Sequence, residues 1–350
     1  MRSDRRGERV RLLFGLLLML IALVVLSRQI ARAGPLEVAR RVAEASPAWL
    51  AALALFTAAR FGVFAARLGA ITRRLVPCSA WSFVPIVMAS QLIGLCFPGL
   101  RAGAAYLRAH LAAHRFGGGT ALHLGPNIID QMTSAVGWLL VAMILSPMLV
   151  DGGAGRSSPR IGQWLAAAVF VSLAAAWSLR RFGPRLIAWL ERPRSGRRGR
   201  LASASSRAFR GAGALAGDPR ALAAGLAGGV AFLLLTGAAQ WAALRAIDEP
   251  VPFWLALLAV TLGSAAGTLA HTPGGLGVTE AAQVAFLTGQ GLSAEAAASG
   301  VLLARSLHYA IVLLAGGGAL AREWRKGRLR GLLGGSKNEP SGHSVGPLVE

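Results

Sequence analysis

The run H-T-P-G-G-L-G-V-T-E, His271 to Glu280, decides how this chain is read, because it breaks helix between two long apolar segments. In water, Pro-Gly-Gly is an ordinary turn. At membrane depth, backbone outside a helix persists only where protein or a water-lined cavity satisfies its N–H and C=O groups. The run also carries a carboxylate, Glu280, which costs about 2.5 to 3.5 kcal/mol on insertion scales near the bilayer centre. Both features call for a compensating partner.

Composition places the run in a membrane. The 350 residues are 54% hydrophobic and 15% charged, with a mean hydropathy of +0.54. Soluble domains are nearer 45 to 50% apolar and about 25% charged. Several apolar runs reach the length that crosses a bilayer. The formal charge of +22 does not point to nucleic acid, because the arginines flank apolar segments in the positive-inside pattern. Cys78 and Cys96 have no metal-binding or redox spacing.

Eight apolar segments follow one another. Leu12–Leu26 reads as an uncleaved first span, since Ser27-Arg28-Gln29 offers no clean cleavage site. Residues 28–46 read as an external amphipathic segment. Spans then run over about 47–66, ending at Arg67, and over 127–150, 161–179, 221–244 and 299–320. Two broken segments lie among them: 81–97, interrupted by Pro98-Gly99, and 253–272, interrupted by Pro273, Gly274, Gly275 and Gly277. Residues 180–220, with eleven arginines against Glu191 and Asp218, read as a flexible cytoplasmic loop, and 331–350 as a disordered tail.

Counting sides sets the topology. If all eight segments crossed, the eleven-arginine region would lie outside, against the orientation rule. If the segment broken at Pro98 instead enters and leaves on the cytoplasmic side, and the one broken at Pro273 does so from outside, then residues 67–80, 101–120 and 180–220 become cytoplasmic, along with both termini. The expectation is an all-α polytopic membrane protein with about six full spans and two re-entrant broken-helix hairpins, in a single transmembrane domain over 1–330. Pro98 to Asp130 and Pro273 to Arg305 are each 32 residues apart. Residues 47–150 and 221–320 thus read as an inverted repeat, the transporter arrangement in which discontinuous helices meet at mid-membrane.

Glu280, Arg305 and Asp130 are the ionisable residues expected inside apolar segments. Intramembrane charges face a cavity or find a partner. Glu280 and Arg305 are expected as neighbours lining a polar cavity between the halves, with Asp130 approaching from the other half. Arginine reads phosphate well because its planar fork donates bidentately, and the helix after Gly277 adds N–H groups. The pair reads equally as a structural lock on the hairpin. His110 and His114 are four residues apart but lack further ligands, so no metal site is expected. His123 is expected at the interface, and His271, His308 and Tyr309 as packing or cavity-lining residues. No nucleophile elbow, Walker motif or paired carboxylates give enzyme chemistry a seat, and no cofactor is expected.

P-G-G-L-G-V-T-E at 273–280, followed by A-R-S-L-H-Y at 304–309, resembles the lysylphosphatidylglycerol synthase transmembrane region, a flippase-like family of membrane proteins. F-P-G-L-R-A-G at 97–103 is similar to that family's first Pro-Gly-Arg element, with the arginine displaced to Arg101, Ala104 in place of a glutamate, and Asn127 in place of the arginine before Asp130. The resemblance adds Arg101 and Tyr309 to the candidate substrate-binding residues. It implies a lipid flippase or transporter moving a phospholipid or lipid-linked polar headgroup across the cytoplasmic membrane. The alternative is a non-transporting accessory or scaffold protein of a lipid, hopanoid or glycan pathway. The implied partners are an anionic or lipid-linked membrane lipid and a separate synthase or transferase. No synthase domain follows Leu320, so aminoacyl transfer is not expected.

Overall fold

A computed structural model describes residues 35–96, 101–145, 147, 196–269 and 275–329. The expected spans at 12–26 and 161–179, the breaks at Pro98-Gly99 and at Pro273-Gly274, and the tail at 331–350 lie outside these residues. Within them all regular structure is helical. Four helices are long and apolar enough to cross a membrane: α2 (Pro47–Thr72), α5 (Gly119–Leu145), α7 (Pro219–Ala246), and α10 (Ala294–Ile311), which continues through a π turn at Val312–Gly316 into α11 (Gly317–Arg325).

Between the long helices lie short ones. A 3₁₀ turn at Ala80–Phe83 leads into α3 (Val84–Cys96), and α4 (Arg101–Phe116) follows. In the second half α8 (Phe253–Leu269) is followed by α9 (Val278–Gly289). At 1.5 Å per residue, the 17 residues of α8 reach about 25 Å and the 13 of α3 about 20 Å, both short of a hydrocarbon core of about 30 Å. Both halves therefore run long, short, short, long.

The first long helices of the two halves are antiparallel. At one end Ser46 N donates to Ala246 O at 2.8 Å, joining the start of α2 to the end of α7. At the other, Arg74, just beyond α2, pairs with Asp218, the N-cap of α7. The Arg74 guanidinium, helped by the Arg220 N–H, holds the Asp218 carboxyl below its usual range. A small amphipathic helix, α1 (Pro35–Ala43), lies at the first end, where it buries Val38 and ties Arg41 to Glu249 at 3.0 Å.

Glycines set the closest approaches. A Cβ on Gly267 of α8 would stand 2.1 Å from Thr279 Oγ1, and one on Gly263 would stand 2.5 Å from Gln283 Cγ. This small-xxx-small stripe lets α9 lie against α8 and closes the second hairpin. In the first hairpin the space is filled by Ala104, buried against Gly94.

The structure corrects two expectations. Residues 196–216 are not loop but a helix, α6 (Gly196–Ala216), packed on α5. Ala208, Ala212 and Leu215 form its buried face, at the i, i+4, i+7 spacing of a helical stripe. Pro126 cannot donate to Leu122 O four residues back, and that carbonyl faces Gly211, whose Cβ would stand 3.4 Å from it. Secondly, span two does not end at Arg67. It continues to Thr72, and Arg67 is buried within it.

Candidate functional site: two buried ionic clusters

The second hairpin brings Glu280 to the long helix that follows. Gly277, at φ 79°, precedes α9 and places Glu280 in its first turn, where a carboxylate interacts well with the helix dipole. Arg305 and Tyr309 are one turn apart on α10, so their side chains share a face. Arg305 Nε meets Glu280 Oε1 at 2.5 Å, the Tyr309 hydroxyl donates to the same oxygen at 2.8 Å, and the guanidinium carbon lies 5.0 Å from the Tyr309 ring centre. Glu280 is thus adjacent to Arg305, and Tyr309 joins them. The other carboxylate oxygen, Oε2, is buried and accepts no hydrogen bond from the described residues.

A fourth side chain, Arg60, reaches this cluster from the other half. Arg60 sits near the middle of α2 and is 9% exposed. Its Nη2 lies 2.5 Å from His308 Nδ1, and His308 in turn stacks on Phe61 with ring centres 5.5 Å apart. The sequence reading counted Asp130, Glu280 and Arg305 as the intramembrane charges and passed over Arg60. Its seven-residue spacing from Arg67, with Phe61 and Phe64 beside them, is the helical-face signal that marks it.

Asp130 is not in this cluster. Its side chain is completely buried and pairs with Arg67 Nε at 2.6 Å, within its own half. Arg67 fits because Gly228 and Gly229 of α7 leave room for its stem, a Cβ on Gly228 standing 2.7 Å from Arg67 Cγ. The rings of Phe64 and Phe232 lie 5.2 and 5.9 Å from its guanidinium carbon. Arg108 of α4 approaches the same place. It donates to Asn127 Oδ1 at 2.8 Å and Ser90 Oγ at 3.4 Å, so Asn127 is an acceptor for an arginine from another helix. Arg101 opens α4.

Along α2, Arg60 and Arg67 are seven residues and so about 10 Å apart. One cluster is sealed: the Arg67 and Asp130 side chains are 5% and 0% exposed. The other is partly open, with the Arg305 side chain 19% exposed. Together they set three buried arginines, Arg60, Arg67 and Arg108, and the half-buried Arg305 against Asp130 and Glu280.

Three histidines are placed as follows. His110 Nε2 meets Arg328 O at 3.1 Å, and its ring centre is 4.5 Å from that of His114. His123 is buried near the start of α5, with Nε2 2.7 Å from Gly117 O. Among the described residues no group of three or more His, Cys, Asp or Glu is placed to hold a metal ion.

Long apolar helices, shorter apolar helices between them, and ionic clusters within the apolar packing define a polytopic integral membrane protein. More particularly, the chain belongs to the lysylphosphatidylglycerol synthase TM region family, whose model matches residues 12–316. No curated protein matches the chain with significance.

Proposed function

We propose that the chain binds the polar headgroup of a phospholipid, or of another lipid-linked group, and moves it between the leaflets of the cytoplasmic membrane. The observation that carries this reading is the half-used carboxylate of Glu280. Oε1 takes both Arg305 and Tyr309, while the buried Oε2 accepts nothing from the described residues. A buried acceptor left unpaired costs about 1 to 3 kcal/mol, more for a charged group, and a headgroup ammonium or hydroxyl would satisfy it. Arg305, paired with the same carboxylate, and Arg60, on the nearby His308, are there for the phosphate. The family supports the lipid. The antiparallel first helices support the inverted-repeat geometry, in which rocking of two halves exposes a central site to either side.

The reading is one of transport, not catalysis, with headgroup chemistry left to a separate synthase or transferase. It places the basic end of the bundle, with both termini, in the cytoplasm. Reconstitution tests it: labelled phosphatidylglycerol and amino-lipids should lose leaflet asymmetry faster in proteoliposomes than in empty liposomes, and Arg305→Ala should reduce the rate at least tenfold. No acceleration with any of these lipids would end the reading.

One observation favours the accessory alternative. The basic region includes a packed helix, α6, that presents Arg207 and Arg210 outward. As a scaffold, the protein would keep its cellular role in Arg305→Ala and lose it when Arg207 and Arg210 are replaced.

A further inference from the structure

We propose that His308 is a proton-binding site linked to loading of an anionic headgroup, so that proton and anion enter the site together. The inference rests on the headgroup-binding reading above and goes beyond it by assigning a coupling ion. It starts from donor chemistry. Arginine has donors only, so the 2.5 Å contact between Arg60 Nη2 and His308 Nδ1 requires an unprotonated Nδ1 and a neutral ring carrying its proton on Nε2. A proton on Nδ1 and the Arg60 hydrogen bond therefore exclude one another. The bond joins α2 of one half to α10 of the other.

The surroundings determine what protonation needs. On its own helix, His308 is flanked by Arg305 and Tyr309, α2 brings Arg60, and α9 brings Glu280, which is already engaged by Arg305 and Tyr309. The other helices packed on α10 keep their titratable groups away. Glu37, Arg40, Arg41 and Glu44 lie on or beside α1 at the start of α10, and Arg220 and Arg245 lie at the two ends of α7. His308 is 14 residues, about 20 Å, along α10 from Ala294. Among the described residues the local charge is thus two arginines against one carboxylate. A further buried proton would leave two uncompensated positive charges in low dielectric, which is unfavourable. An incoming phosphodiester anion removes that penalty, because it attracts Arg60 away from Nδ1 and balances the imidazolium. Proton uptake, release of the Arg60 contact and anion binding then form one linked step, and linkage makes the effect reciprocal. The proton comes from water and returns to it when the headgroup leaves.

The test uses purified full-length protein in neutral detergent with short-chain phosphatidylglycerol, whose phosphodiester keeps its charge between pH 5.5 and 8. With one linked proton, the dissociation constant should tighten as pH falls, by at most about tenfold per pH unit. His308→Gln keeps an acceptor for Arg60 but cannot take a proton, and should bind with a flat pH profile. Nitrogen NMR of labelled histidine, with the His308 signal assigned by its loss in His308→Gln, should show a ring protonated only on Nε2 in the free protein at pH 7. Both nitrogens should be protonated once phosphatidylglycerol is bound. Equal pH slopes in the two proteins, or an unchanged neutral ring in the complex, would overturn the proton coupling and leave headgroup binding standing. No phosphatidylglycerol binding at any pH would overturn both.

Discussion

At the residue scale, the interior arginines are used in two ways. Arg305 and Arg60 stand beside a carboxylate with a spare oxygen and a neutral histidine, in a place that is partly open. Arg67 and Asp130 are shut in with aromatic rings and a glycine-lined groove, as a structural ion pair is. Removing one member of such a pair strands the other, at about 3 to 5 kcal/mol, whereas removing both costs much less. Arg67→Met should therefore destabilise the protein strongly in detergent, and Arg67→Met with Asp130→Asn should recover most of the loss. A double-mutant cycle by denaturant unfolding measures this, and additive losses would show that the pair is uncoupled. The sequence showed Asp130 as an expensive charge but not its partner. Arg67 stands shortly before Arg73 and Arg74 and reads as part of a cytoplasmic flank. Only the continuation of α2 to Thr72 and the groove at Gly228 bring it inside.

At the element scale, the second hairpin depends on how closely α8 and α9 approach. Gly267→Ala puts a methyl group onto Thr279 Oγ1, where a Cβ would stand 2.1 Å away. Overpacking of this kind costs about 1 to 3 kcal/mol, and here it would also shift Glu280, the residue after Thr279. The expected result is a lower unfolding temperature and slower lipid movement, both restored by adding Thr279→Ala, because the nearest clashing atom is then gone. Failure of the second substitution to rescue the first would mean that the hairpin is not closed through this contact. Pro273 and Gly274 themselves lie outside the described residues, but the run of Pro, Gly and Gly, which disfavours helix, was legible. The tight seam was not, because a Gly-xxx-Gly stripe in an apolar run does not say which helix it meets. For the same reason α6 reads as loop in the sequence: its arginines and serines set the composition, while its packing face is made of Ser206, Ala208, Ala212 and Leu215.

At the scale of the whole molecule, contacts sort the charges to two ends. Arg73, Arg74, Arg115, Arg220, Arg322, Arg325, Lys326 and Arg328 gather where α2 ends and α7 begins. Glu37, Glu44, Asp248, Glu249 and Glu295 gather at the other end, with Arg40, Arg41 and Arg245. The positive-inside rule then predicts that Arg207→Cys, exposed on α6, is labelled by a membrane-impermeant maleimide from the cytoplasmic side only, in a background with Cys78→Ser and Cys96→Ser. Labelling from outside would reverse the orientation. The sequence by itself determined the membrane class, the family and the presence of costly charges. These follow from composition, periodicity and local backbone chemistry, which depend on each segment alone. The sequence also expected Glu280 beside Arg305; tertiary structure alone decided that Tyr309 joins them, that Asp130 meets Arg67, and that Arg60 meets His308 across the two halves. Those pairings depend on which helix faces which across a glycine, and a difference of seven residues on one helix face is enough to move a charge from one cluster to the other.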